Sequence, residues 1–306
     1  MFTSAQNFAV VQTELDSVFM QEFDFQMGPG NATATTSQVF KQRTTDRASD
    51  ITETFFGIGA FSKVTESQNV PLKTPQVKNK QTTLIADFAA GIEISKNMFD
   101  DDQHDDIAEI VRQFAENARV AMDSNAFGIF RGAFTTTLTA DGVSLINAAH
   151  PTNAGTVSNL VAGSLSSATL DLAMVALAEQ ADNAGVIKGQ QGNVLLVPTA
   201  LFKAAKEITG SVLESDTANN NINVWRSTYG YVVMTSPYMG AAAGGSDTAW
   251  FLLGRNHSIQ RIVRQGIETN MRDWTYSNNR TYLYQANFRE EVRAIDYVGV
   301  VGSTGL

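Results

Sequence analysis

Between Asp100 and Phe130 lies the longest clean helical pattern in the chain. Ile107, Ile110, Val111, Phe114, Ala118, Ala121 and Met122 fall on one stripe at helical period. From Ile107 to Phe130 such a helix runs about 35 Å at 1.5 Å per residue, the length of a structural beam. Carboxylates gather ahead of it and in its first turn (Asp100, Asp101, Asp102, Asp105, Asp106). They complement the positive end of the helix dipole, a reading favoured over Ca²⁺ binding because the loop glycine and closing glutamate of an EF-hand are missing.

What precedes the helix has no core of its own. Residues 62–83 contain four aliphatic side chains, Val64, Val70, Leu72 and Val77, with Pro71 and Pro75 between them. So little apolar surface cannot offset the entropy of ordering the segment on itself. Its flanks read as the arms of an extended hairpin, Ile51–Val64 and Gln81 onward. From Leu84 to Ile94 the even positions are apolar while Asp87 and Glu93 sit on the odd face, which predicts a half-buried strand. Residues 1–47 read as an arm. The amphipathic piece Val10–Phe25 (Val11, Leu15, Val18, Phe19, Phe23) calls for an apolar surface not supplied locally, and a Gly/Pro and Thr-rich linker follows it.

Past the beam, a turn-rich region holds Asn147-Ala148-Ala149-His150-Pro151, and a helix is predicted over Ser167–Ala181. Val194–Val197 reads as a short buried strand, and Pro198-Thr199 opens a third helix ending at Gly210. Tyr231–Met234 and Ala249–Leu253 are further strands around a glycine-rich loop, and Thr281–Gly302 is strand-rich.

Composition narrows the chemistry. The absence of cysteine removes disulfide frameworks, thiolate metal sites and a cysteine nucleophile. Met1-Phe2-Thr3-Ser4 does not begin a secretory signal, and no apolar run is long enough to span a bilayer. The expected setting is therefore a reducing cytoplasm, left by lysis if at all. A net charge of −9, with no Lys or Arg in the first 40 residues, argues against a tight grip on phosphates. Four of the nine lysines, Lys63, Lys73, Lys78 and Lys80, crowd into the polar hairpin, whereas every basic residue after Lys206 is arginine. Those arginines suit carboxylate pairing at interfaces or simple solvation on strands, and the sequence leaves both open.

Catalytic constellations do not assemble. His104, His150 and His257 are isolated, no G-x-S-x-G elbow is present, and the strand-to-helix junction Val197-Pro198-Thr199 has neither glycine nor lysine for a phosphate. No catalytic residue, cofactor site or metal site is predicted.

The order of parts resembles the major capsid protein of tailed double-stranded DNA phages, the Hong Kong 97-type fold. The resemblance is carried by Gly91-Ile92-Glu93-Ile94-Ser95 leading into the aspartate-rich helix start, and by Asn147-Ala148-Ala149-His150-Pro151. Val194-Leu195-Leu196-Val197-Pro198 and Phe288-Arg289-Glu290-Glu291-Val292-Arg293-Ala294 carry it further, so that it spans nearly the whole chain. It implies an α+β fold: an N-terminal arm (1–46), an E-loop (47–83), a P-domain with the spine helix (84–163), an α/β A-domain (164–276) and P-domain return strands (277–306). It also implies a non-enzymatic role, with hexamers and pentamers closing an icosahedral shell around double-stranded DNA that is contacted weakly. The expected partners are copies of itself, a separate scaffolding protein, a portal and decoration proteins, with no membrane. The expected location is the virion, assembled in the host cytoplasm. An encapsulin-like compartment shell is the alternative. Lys63, Lys73, Lys78 and Lys80 are expected to meet Asp101, Asp102 and Asp105 of a neighbouring subunit.

Overall fold

The computed structural model describes residues 4–25, 39–55, 61–66, 68–72, 77–100, 106–153, 155–212, 223, 225–226, 231–276 and 279–306. Its axis is the expected beam, a helix over Asp106–Arg131 (α3), preceded by α1 (Ser4–Phe25) and the short α2 (Lys96–Asp100). Two four-stranded sheets flank α3. The first has the order β1 (Lys41–Thr44), β10 (Ile259–Arg272), β11 (Thr281–Ala294), β4 (Ala86–Ser95), with β1 parallel to β10 and the other pairs antiparallel. The second has the order β12 (Val300–Ser303), β9 (Trp250–Gly254), β7 (Gly192–Pro198), β8 (Val232–Ser236).

The beam serves both sheets. Its N-terminal half buries Ile107, Val111, Phe114 and Met122 against Ile94, Met271, Tyr284 and Phe288 of the first sheet. Its C-terminal half buries Ala126, Phe127 and Phe130 against Val194, Leu196, Phe251 and Leu253 of the second. On the far face of the second sheet, Leu195, Val197, Trp250 and Leu252 meet Leu170, Ala173 and Leu177 of α4 (Ser167–Glu179) and Ala205 of α5 (Phe202–Gly210). Both faces of this sheet are therefore covered, which is why Val194–Val197 is an unbroken apolar run rather than an alternating one. By contrast β4 is covered on one face, and Phe88, Ile92 and Ile94 point inward as the alternation predicts.

Two expectations are corrected. The surface for the amphipathic stripe of α1 is supplied by its own subunit: Leu15, Phe19 and Phe23 are buried on α3 and the first sheet. Phe19 lies against Phe114 at 5.9 Å and Tyr284 at 6.2 Å between ring centroids. Asp16 accepts hydrogen bonds from Thr269 Oγ1 (2.7 Å) and the Tyr284 hydroxyl (2.8 Å). Burial and the Asp16 carboxylate push the Tyr284 phenol well above its ordinary range. The sheets also divide the chain differently from the expected segments. β10, inside 164–276, pairs with β11, while β12, inside 277–306, closes the other sheet. Strand pairing of this kind joins residues far apart in sequence, and no local pattern specifies it.

Apart from the two sheets, strands β2 (Ser49–Phe55) and β3 (Val77–Leu84) form a separate two-stranded hairpin, with β5 (His150–Thr152) and β6 (Gly155–Val157) a second small pair.

Candidate assembly surface and its buried framework

The β2–β3 hairpin is held at its base and bare beyond it. Pairing runs from Ser49↔Leu84 to Phe55↔Val77. At the base, the Arg293 guanidinium on β11 pairs with the Asp50 carboxylate and donates to Thr52 Oγ1, and also to Thr83 Oγ1 at 3.1 Å. Arg43 on β1 stands 3.4 Å from the same Asp50 carboxylate. Beyond this anchor the side chains of Phe61, Val64, Val70 and Leu72 are exposed, Phe61 at 104% and Leu72 at 94%. A hairpin so rooted presents, at its far end, apolar side chains that the described residues of its own subunit leave uncovered.

Of the expected contact lysines, Lys63 is exposed and Lys80 stands 3.9 Å from Glu53 across its own hairpin. Lys78 lies on β3, and the placement of its side chain falls outside the described residues, as do Lys73, Asp101, Asp102, Asp105 and His104. Asp100 pairs with Lys96 one turn back, and Asp106 sits in the first turn of α3, where a carboxylate complements the dipole.

Several of the late arginines take a role the sequence did not offer, pairing with carboxylates inside their own subunit, while others are solvated. Arg261 on β10 donates through Nε to Glu290 Oε2 on β11 at 2.8 Å, both side chains buried. Beside them on α3, Arg119 and Asp123 form a buried pair at 2.9 Å. Burial raises both Glu290 and Asp123 above their ordinary range, against the pull of Arg261 and Arg119. Arg289 reaches Asp87 on β4 at 3.6 Å. The charges of Phe288–Ala294 thus clamp β11 to β10, β4 and the hairpin within one subunit, while Arg255, Arg272 and Arg280 remain exposed.

Within the Asn147–Pro151 motif, His150 is completely buried and centres a polar knot. His150 Nδ1 donates to Asp141 Oδ2 at 2.8 Å, its Nε2 lies 3.2 Å from Asn159 Oδ1, and its ring stacks on Tyr297 at 4.2 Å. Asn159 Nδ2 donates to the carbonyls of Leu145 (2.7 Å) and Val300 (3.2 Å), tying the turn-rich region to β12. Burial would raise Asp141, but hydrogen bonds from His150, Thr139 and the Val143 amide hold it below the usual carboxylate range. Through Asp141, Asn159 and Tyr297, His150 fastens the turn-rich region. His150→Ala is expected to destabilise the isolated subunit by about 2–3 kcal/mol, because a fully buried ring is lost and Asp141 Oδ2 loses its donor while Thr139 and Val143 still hold Oδ1. Urea denaturation of the unassembled subunit checks this; a loss below about 1 kcal/mol would refute the fastening role.

His257 is fixed differently. Its Nδ1 accepts the Ile259 amide at 3.3 Å, and Gly299 closes over it in the left-handed region (φ +88°), where a Cβ would stand 2.7 Å from His257 Cα. Burial, with Lys41 nearby, lowers its pKa to about 4. The unfolded chain takes up the proton near 6.5 and the folded one near 4, so stability falls as pH drops through that window, by about 3 kcal/mol at most. His257→Gln should flatten the stability–pH curve between those values, and an unchanged slope would contradict the assignment.

With this geometry in place, comparison with known proteins decides the family. The phage capsid protein family model matches residues 78–301. The chain belongs to that family. A search of curated protein sequences finds no match. Among solved structures, this capsid protein is similar to the capsid of an empty GTA particle, with TM-score 0.58, 14% identity, and coverage of 90% of this chain and 91% of that one. It is similar to the mature capsid of bacteriophage PhiM1, with TM-score 0.58, 11% identity, and coverage of 89% and 86%. It is also similar to a virus-like particle from Pyrococcus furiosus, with TM-score 0.56, 10% identity, and coverage of 95% and 98%. At these identities the likeness concerns the fold, and the expected α+β capsid fold is the one found. The fastened hairpin, the spine helix and the two sheets are thus parts of a phage major capsid protein, and its role is structural.

Proposed function

We propose that this capsid protein closes an icosahedral shell of hexamers and pentamers around packaged double-stranded DNA, each subunit laying its β2–β3 hairpin over a neighbour. The observation that carries the reading is the hairpin itself. It is clamped at the root by Arg293 and Asp50, and its far apolar side chains find no cover in their own subunit. Residues 47–83 then act as the E-loop, α3 as the spine of a P-domain with the first sheet, and the second sheet with α4 and α5 as the A-domain. Lys63, Lys73, Lys78 and Lys80 meet Asp101, Asp102 and Asp105 of the next copy, each wet pair contributing about 0.5 kcal/mol and weakening with salt. The net charge of −9 suits an inner surface that encloses DNA without gripping it. A scaffolding protein, a portal and decoration proteins complete the assembly in the host cytoplasm, and the finished shell is part of the virion. The family match favours this shell over an encapsulin-like compartment.

Negative-stain microscopy of the protein produced with its assembly partners tests the reading, with closed isometric shells of uniform diameter as the expected result. Small soluble oligomers under every condition would overturn it. Particles from infected cells that hold enzymes in place of nucleic acid, read from absorbance at 260 nm, would move it to the compartment alternative.

A further inference from the structure

An apolar pocket of about 160 Å³ opens between α3 and the edge of the first sheet. Phe88 and Phe288, stacked cross-strand at 4.8 Å and 11°, form one side of it. Phe114 and the small side chains of Ala118 and Ala121 on α3 form the other. An apolar cavity of roughly 150 Å³ is large enough to take a benzene ring. The pocket lies along β4, the last strand of its sheet, whose outer backbone groups have no strand partner among the described residues. The middle of β4, Ala89-Ala90-Gly91, is exposed and carries no bulk, so an extended chain can approach it closely.

The same subunit carries a ring with nowhere to go. Phe61 is the one exposed aromatic side chain among the described residues, and at 104% its ring is fully open to solvent. Occupant and pocket match in size and in aromatic character, and both belong to a chain whose family assembles from copies of itself. We infer that Phe61 of one subunit seats its ring in the Phe88–Phe114–Phe288 pocket of a neighbouring copy, its backbone lying beside the free edge of β4. This rests on the hairpin reaching a neighbour, as proposed above, and adds the place where it is received.

Replacing Phe61 with the photoreactive p-benzoylphenylalanine keeps an aromatic ring at that position and reports what surrounds it. After irradiation of assembled shells, the expected product is an intersubunit adduct on the peptides that carry Phe88–Ala90 or Phe114–Ala121. Separately, Phe61→Ala alters only an exposed side chain, so the subunit should fold normally. The protein concentration at which shells appear should nonetheless rise about thirtyfold, the loss expected when one phenyl ring stays in water. Phe61→Leu should recover part of that loss. Adducts within one chain or on any other surface, or Phe61→Ala shells forming at the wild-type concentration, would overturn the seat while leaving the shell role standing. A wild-type chain that never forms shells would overturn the shell role, and the seat with it.

Discussion

Substituting Phe19 by alanine is expected to destabilise the isolated subunit by about 3–5 kcal/mol, the usual cost of emptying a fully buried aromatic site. Phe19 is completely buried, with Phe23, Phe114 and Tyr284 around it. An arm that only gripped a neighbour would give a different result, because its loss would weaken shells and leave the unassembled subunit unchanged. Deleting residues 1–25 should likewise yield a subunit that melts early and exposes Tyr284 and Phe114 to dye binding. Calorimetry of unassembled protein separates the two cases. A truncated subunit as stable as the full chain would show that α1 belongs to assembly rather than to its own core.

Replacing residues 66–79 with a short Gly-Ser turn is expected to abolish closed shells while leaving the subunit folded. The asymmetry follows from where the hairpin is fastened. Asp50, Thr52 and Thr83 hold its root to Arg293, the Ile85 amide donates to the Ala48 carbonyl at 3.1 Å, and all of these lie outside the replaced segment. The removed side chains include the exposed Val70 and Leu72, which contribute nothing to the subunit's own core. Sedimentation should therefore find soluble subunits or small oligomers with an unchanged melting temperature. Intact particles of normal size from this variant would mean that the hairpin ties no neighbours together.

Much of this molecule is legible without coordinates where a pattern is local. The stripe from Ile107 to Met122 gives α3, the even-numbered apolar residues give β4, and the unbroken Val194–Val197 run gives a strand covered on both faces. Residues 62–83 declare by their poverty in aliphatic side chains that they cannot fold on themselves. Period, run length and apolar content are properties of neighbouring residues, so the sequence by itself determined these elements and the family.

Tertiary structure alone decided what each element rests on. The stripe of α1 asks for an apolar surface without saying whose, and only the packing of Phe19 against Tyr284, 265 positions away, answers from within the same subunit. The arginines after Lys206 look alike in sequence. Strand register across β10, β11 and β2 buries Arg261 and Arg293 in carboxylate pairs, while Arg255 and Arg280 lie outside the strands and face solvent. His150 looks isolated because its partners, Asp141, Asn159 and Tyr297, reach it through turns and a closing strand. A contact between distant residues depends on how the whole chain closes, and no local period encodes that.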